Sequence, residues 1–162
     1  MSRQTPLAVK GATPALTIRA AEGRDVPRLM DMINDLKPLT EDRLNLDEAS
    51  VIDLIHAPKP WVRLLVAEQD GELIGYAALV GGLQLSAQDR AMEMHHIYVE
   101  PAHRGQGIGR ALSDAAMTTA RMLGCETLTV AISRTSAMAK AAYRAFGFER
   151  PSLRAPRYVM PV

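Results

Sequence analysis

The sequence has a single cysteine, Cys125, so it can build neither an internal disulfide framework nor a multi-cysteine metal site. So little thiol fits a reducing compartment, and a cytoplasmic location is the expectation. Net charge is nearly absent too: 19 Lys and Arg against 18 Asp and Glu leave +1. That argues against a protein working through bulk attraction to nucleic acid, with a local basic patch left open, and no nucleic-acid partner is expected. No apolar run approaches the roughly 20 residues of a membrane span. The longest uncharged run, Leu73 to Gln88, is interrupted by Gly75, Gly81 and Gly82. The opening residues, MSRQTPLAVKGATPAL, lack the sustained apolar core of a secretory signal. Residues 1–15 therefore read as a flexible leader and 16–162 as one domain. Within 162 residues, 48% hydrophobic and 23% charged, there is material for a single globular core. The scattered histidines make no metal site.

Periodicity and turn chemistry give an order of elements. Thr17–Ala21 is a short strand. Asp25 is placed to cap a helix from Val26 to about Leu36, with Pro27 in its first turn. Asp47 is placed to cap a second helix that stops before Pro58. Arg63–Glu68 and Glu72–Val80 are strands joined at Asp70–Gly71, a two-residue hairpin signal. Gly81 to Arg90 reads as a loop and Met92–Val99 as a strand. Gly107–Leu123 is an amphipathic helix closed by Gly124. Thr127–Ile132 is a strand and Ser136–Phe146 a helix, with Phe148–Pro151 and Arg157–Met160 as final strands. The product is an α/β fold: a mixed sheet with helices on both faces and a central parallel pair.

The most informative stretch runs from Ile97 to Gly109, IYVEPAHRGQGIG. A strand ends, a glycine-rich turn follows, and a helix begins at once. Free N–H groups and the positive end of the helix then converge on one point, where an anion can sit. Gly105, Gly107 and Gly109 let a phosphate approach the backbone, and Arg104 can add a charge-assisted contact. The bland alternative is a tight surface turn. No Lys-Ser/Thr follows the last glycine, so the loop is not a Walker A, and the even glycine spacing is not the dinucleotide fingerprint.

Arg104-x-x-Gly107-x-Gly109 resembles the acetyl-CoA pyrophosphate loop of the GCN5-related N-acetyltransferase (GNAT) superfamily. Ile97-Tyr98-Val99-x-Pro101 is similar to that family's central strand ending, and Ala139-x-x-x-Tyr143-x-x-x-Gly147-Phe148 to its second signature. The resemblance implies a single-domain fold with a splayed central parallel strand pair, and acetyl transfer from acetyl-CoA to an amine. It implies cofactor contacts from Ile97, Tyr98 and Val99, from the loop Arg104, Gly105, Gln106, Gly107, Ile108, Gly109 and Arg110, and from Ser136 and Tyr143. Ser136 stands where the family often has Asn, and capping the helix is its expected role.

Three residues are candidates for the chemistry. Tyr143 is placed by the resemblance to protonate the departing thiolate, with ring packing as the alternative. Glu93 and His95 are candidate bases for the amine proton. Strict strand alternation would put both on the face carrying Ile97 and Val99, with Met92, Met94, His96 and Tyr98 opposite; the alternative is a polar pair satisfied by its neighbours. The expected partners are acetyl-CoA and an amine acceptor, with a homodimer left open. Glu41, Asp42 and Asp47 could attract a cationic amine or simply form a solvated turn. Other readings are a protein N-terminal or lysine acetyltransferase, a non-catalytic acyl-CoA-binding sensor and a nucleotide-binding module.

Overall fold

The computed structural model describes residues 15–39, 46–58, 61–84, 89–130 and 137–149. The chain divides into two compact units, residues 1–131 and 132–162. The first holds β1 (Leu16–Ala20), α1 (Val26–Leu36), α2 (Glu48–His56), β2 (Val62–Gln69), β3 (Glu72–Gln84), β4 (Asp89–Val99), α3 (Ile108–Met122) and β5 (Thr127–Val130). The second contributes α4 (Ala137–Ala145).

The five strands form one sheet in the order β1-β2-β3-β4-β5. Every neighbouring pair is antiparallel except β4–β5, which is parallel. The β2–β3 turn uses Asp70 at φ 53° and Gly71 at φ 82°, the two positive angles that the Asp-Gly pair foretells. Asp47 caps α2 as its position suggests, accepting from Ser50 N at 2.8 Å.

Helices cover both faces. The row Val66–Tyr76–Tyr98 points to the side of α1 and α2, where Leu29, Ile33 and Val51 complete a buried cluster. The row Ala67–Gly75–Val99 points to the side of α3. A Cβ added to Gly75 would lie 3.5 Å from Leu112 of α3 and only 2.7 Å from Tyr98 O. Glycine here permits the close approach of β3 to β4. Met32, Met92 and Met94 are buried, so these methionines fill core.

Three expectations need correction. The loop expected from Gly81 to Arg90 is largely strand: β3 continues to Gln84 and β4 starts at Asp89, paired from Gly81↔Met92 to Gln84↔Asp89. Two glycines weaken a strand but do not end it when a neighbour supplies the ladder. Asp25 is no side-chain cap for α1. Its carboxylate accepts from Arg19 at 2.6 and 2.9 Å and from Glu22 N at 2.7 Å, because β1 delivers a guanidinium to it. Phe148 and Glu149 carry no strand pairing. The remainder of that expected strand, Arg157–Met160, Glu41, Asp42 and Ser136 lie outside the described residues.

Candidate functional site

The site is built around β4 and the turn that follows it. Glu100 N donates to Ile74 O at 2.9 Å, which fixes the hydrogen-bonding alternation between β3 and β4. In an antiparallel ladder alternate residues turn their N–H and C=O toward the neighbour. Tyr98 faces β3 through its main chain, so the main-chain groups of Ile97 and Val99 face away, toward the β5 side. There the described parallel ladder runs only from Ala91↔Thr127 to Met94↔Val130. Ile97 N–H and C=O and Val99 N–H are thus directed past the end of described β5.

The chain then leaves β4 through Pro101–His103 and enters the glycine turn. Gly105 at φ 76° and Gly107 at φ 86° take left-handed angles, and a Cβ on either would meet nothing within 4 Å. The glycines answer to backbone geometry, and the space before them is open. Gly107 is the N-cap of α3 and supplies no side-chain cap, so the first N–H groups of the helix are turned to that space. A phosphate fits this arrangement of donors.

The side chains around the turn behave less simply. Arg104 Nε donates to Val99 O at 2.8 Å, and its guanidinium carbon lies 5.8 Å from the centre of the Tyr98 ring. Gln106 Nε2 donates to Ala102 O at 3.2 Å. Arg110 Nε pairs with Asp114 at 3.1 Å, one helical turn on. Ile108 is buried, and Ser113 Oγ donates to Gly109 O at 2.9 Å. The main chain is therefore the principal set of donors aimed at an anion, and Arg104 braces the corner between strand and helix.

The centre of β4 overturns the expected alternation. Ala78 pairs with His96 but Leu79 pairs with Met94, so β4 carries one extra residue, His95, in a β-bulge. Beyond it the two faces exchange. Met94 and Met92 fall on the side of Leu79 and Gly81, while Glu93 sits opposite Val80 in the row Val62–Val80–Glu93. Val62 packs on the α1/α2 cluster. Glu93 therefore lies on the α1/α2 side, not on the face of Ile97 and Val99. His95 follows it: His95 Nδ1 is 2.9 Å from Glu93 Oε1. The His95 ring also stacks on His96 with centroids 4.7 Å apart. His96 is buried against Tyr76, whose hydroxyl lies 3.5 Å from His96 Nδ1. Glu93 and His95 keep roughly a third of their side chains in solvent, at 32% and 38%.

Sequence reasoning missed a polar group at the other end of the same face. The buried Tyr98 side chain reaches Asp35 of α1 at 3.3 Å and Glu100 at 3.5 Å, and Arg28 pairs with Glu100. Desolvation first, then the two carboxylates, push the Tyr98 hydroxyl pKa up. The spacing held a signal: Arg28 and Asp35 are seven apart on one helix stripe, and Tyr98 and Glu100 two apart on one strand face. Beside them opens a cleft of about 660 Å³ lined by Arg19, Arg28, Glu68, Glu72, Glu100 and His103. Arg19 is committed to Asp25 and Glu68, and Arg28 to Glu100, so much of its charge is already paired within the protein.

Tyr143 lies on α4, in the second unit. Its ring meets Phe146 edge-on at 6.1 Å and Phe148 at 5.5 Å. The side chain is buried, and burial pushes the hydroxyl pKa up to about 12. A phenol in such surroundings stays protonated at neutral pH and can give a hydrogen bond without carrying charge. Cys125 precedes β5 as a half-buried free thiol. Among the described residues, no cluster of three or more His, Cys, Asp or Glu side chains could hold a metal, and no helix is long and apolar enough to cross a membrane.

The profile of the Acetyltransferase (GNAT) family matches residues 26–148. Streptothricin acetyltransferase of Streptomyces lavendulae is 39% identical over 79 residues, covering 49% of this chain and 40% of that protein. The chain thus spans less than half the length of that relative. The L-methionine sulfoximine/L-methionine sulfone acetyltransferase of Salmonella typhimurium is 28% identical over 144 residues, covering 82% of this chain and 80% of that one. Among solved structures, aminoglycoside N-acetyltransferase AAC(6')-Iy in complex with CoA superposes with a TM-score of 0.76 at 18% identity, over 95% of this chain and 100% of that one. Ribosomal-protein-alanine N-acetyltransferase from Brucella melitensis gives 0.70 at 23%, over 91% and 100%. At these identities the structural likeness concerns the fold.

Proposed function

The chain belongs to the acetyltransferase (GNAT) family, and from that membership we propose that it moves an acetyl group from acetyl-CoA to a primary amine of a small molecule. One observation carries the reading: the outward main chain of Ile97 and Val99 runs directly into the glycine-opened start of α3. A thioester arm lying along the first and a pyrophosphate against the second would use a single continuous track of backbone donors.

On this track the amine nitrogen attacks the thioester carbonyl directly. The ammonium loses one proton to a base, the C–N bond forms and the C–S bond breaks; the thiolate takes a proton from the acid, and the second proton shed by the new amide nitrogen makes that good. Val99 N–H is the donor proposed to steady the carbonyl oxygen as charge gathers on it. Glu93 and His95 are the proposed bases. By the family signature Tyr143 is the proposed acid, and its elevated pKa suits a donor that stays neutral. Small acceptors named for relatives, streptothricin and L-methionine sulfoximine, support the small-molecule class.

The test is thiol release from acetyl-CoA against a panel of amino acids, aminoglycosides, polyamines and an N-terminal peptide, run beside calorimetric titration of acetyl-CoA. Release with a small amine supports the reading. Tight binding with release for no amine replaces it with an acyl-CoA sensor, and release with the peptide alone replaces it with a protein acetyltransferase.

A further inference from the structure

Tyr98 stands between the two residues whose main chain faces the β5 side, and its side chain is held from several directions. Its ring lies 6.2 Å from that of Tyr76 and 5.8 Å from the guanidinium carbon of Arg104. Arg104 in turn holds Val99 O at 2.8 Å. The Tyr98 hydroxyl faces two carboxylates, Asp35 Oδ2 at 3.3 Å and Glu100 Oε2 at 3.5 Å. It has a single hydrogen to give. The charge of Glu100 is already met by Arg28 at the other oxygen. Among the described residues no cation is paired with Asp35, so Asp35 is the stronger acceptor as well as the nearer. Asp35 is also poorly placed for its own helix. It is exposed in the last turn of α1, where the dipole disfavours an anion and the turn itself holds no basic residue. A carboxylate that weakens its helix is explained by what it receives from β4.

Resting on the acetyl-transfer reading, we propose that Asp35 is a positioning residue for acetyl-CoA, acting through Tyr98. By taking the hydroxyl hydrogen it ties α1 to β4 at the residue between Ile97 and Val99. With the side chain pinned, the peptide planes on either side keep the angle at which Ile97 N–H and C=O and Val99 N–H meet a thioester arm. Arg104 completes the frame by holding Val99 O. Loss of the tie loosens this main-chain track without removing a donor from it.

Calorimetric titration of acetyl-CoA, thermal melts and a tyrosine spectrum test this together. Asp35→Ala should weaken affinity roughly three- to tenfold. Its Tm should hold or rise, since the helix end is relieved of an anion. Asp35→Asn keeps an acceptor oxygen and should recover most of the affinity. Tyr98→Phe should lose about as much as Asp35→Ala, and the double variant no more than either. With ¹³C at the hydroxyl-bearing ring carbon of the tyrosines, Tyr98→Phe assigns the Tyr98 signal. That signal should titrate at lower pH in Asp35→Ala, because a carboxylate opposing its ionisation is gone. Wild-type affinity in Asp35→Ala overturns the proposal, as does an unmoved Tyr98 titration. A Tm that falls along with affinity overturns it in favour of a structural support. Losses that add in the double variant, or an Asp35→Asn as weak as Asp35→Ala, overturn the route through the hydroxyl. A wild-type protein that binds no acetyl-CoA overturns the transfer reading and the positioning role with it, while the titration still decides the Asp35 contact.

Discussion

The two halves of β4 present different parts of the chain. From Ile97 to Val99 the groups proposed to meet the cofactor belong to the main chain, set by the hydrogen-bonding alternation and continued by uncapped N–H groups at the start of α3. From Glu93 to His96 they are side chains, and a single inserted residue determines their face. A main-chain site tolerates any side chain that does not obstruct it and depends on glycine where one would. A side-chain site depends on residue identity and on register, and a slip of one position sends it to the other face.

The sharpest way to break this contrast is Gly107→Val. The residue sits at φ 86°, costly for a β-branched side chain, and its Cβ would project into the open space before α3. The expected outcome is a fall in acetyl-CoA affinity of more than about 10²-fold in calorimetric titration, with the Glu93–His95 contact unchanged. Full affinity in a folded variant would end the assignment of the main-chain half.

Tyr143→Phe calibrates the side-chain half from outside β4. A hydroxyl that donates only as the thiolate departs strengthens in the transition state, so its loss lowers kcat and spares affinity. About 10²-fold is expected, the lower end of acid catalysis, since a thiolate is already a fair leaving group. The ring keeps its edge-on contacts with Phe146 and Phe148, so Tm should hold. Single-turnover transfer at the wild-type rate would make Tyr143 a packing residue.

Gly75→Ala presses on the main-chain half from behind. Its Cβ would stand 2.7 Å from Tyr98 O, so β3 or β4 must shift. A stability loss of about 1–3 kcal/mol in denaturant melts is expected. Acetyl-CoA affinity should weaken as the Ile97–Val99 backbone moves, and the Glu93–His95 contact beyond the bulge should survive.

Asp25 supplies a control removed from both halves. The Arg19 guanidinium, the largest cause, holds its carboxyl below the usual carboxylate range. The folded pKa is depressed, so the stabilisation is present above the unfolded value, near pH 4, and is lost as pH falls through the folded value. Asp25→Asn should remove that acid-side loss and cost about 1–3 kcal/mol at neutral pH in chemical melts. The kcat and acetyl-CoA affinity of the folded fraction should stay as they are.

What was legible in the sequence follows the same division. The Asp70–Gly71 turn, the Asp47 cap and the glycine loop before α3 are local, and the residue types state the backbone angles required. The bulge is not local. His95 is extra only relative to Ala78 and Leu79 on another strand, and nothing between Met92 and Val99 announces it. Asp25 was misassigned for the same reason, because a cap is read from the following helix while its real partner, Arg19, arrives from β1. The continuation of β3 past Gly81 likewise depends on β4 lying alongside.

Arg104→Ala carries the smallest expected effect and bears most directly on the contrast. A guanidinium before a phosphate loop suggests a charge contact, for which roughly 1.5–3 kcal/mol is the ceiling. Here Nε is already engaged with Val99 O, and the group lies over the Tyr98 ring. The side chain is also exposed, where solvent and salt screen its attraction for an anion. Its remaining donors can assist a phosphate, but its distinct task is to tie the last carbonyl of β4 to the corner leading into α3. Acetyl-CoA affinity should therefore fall by less than about tenfold, corresponding to roughly 1.4 kcal/mol. The salt dependence of binding should flatten only slightly. Calorimetry at two ionic strengths measures both. If Arg104→Ala instead matched Gly107→Val, the phosphates would be held by side-chain charge, and the main-chain half of β4 would be a side-chain site like the other.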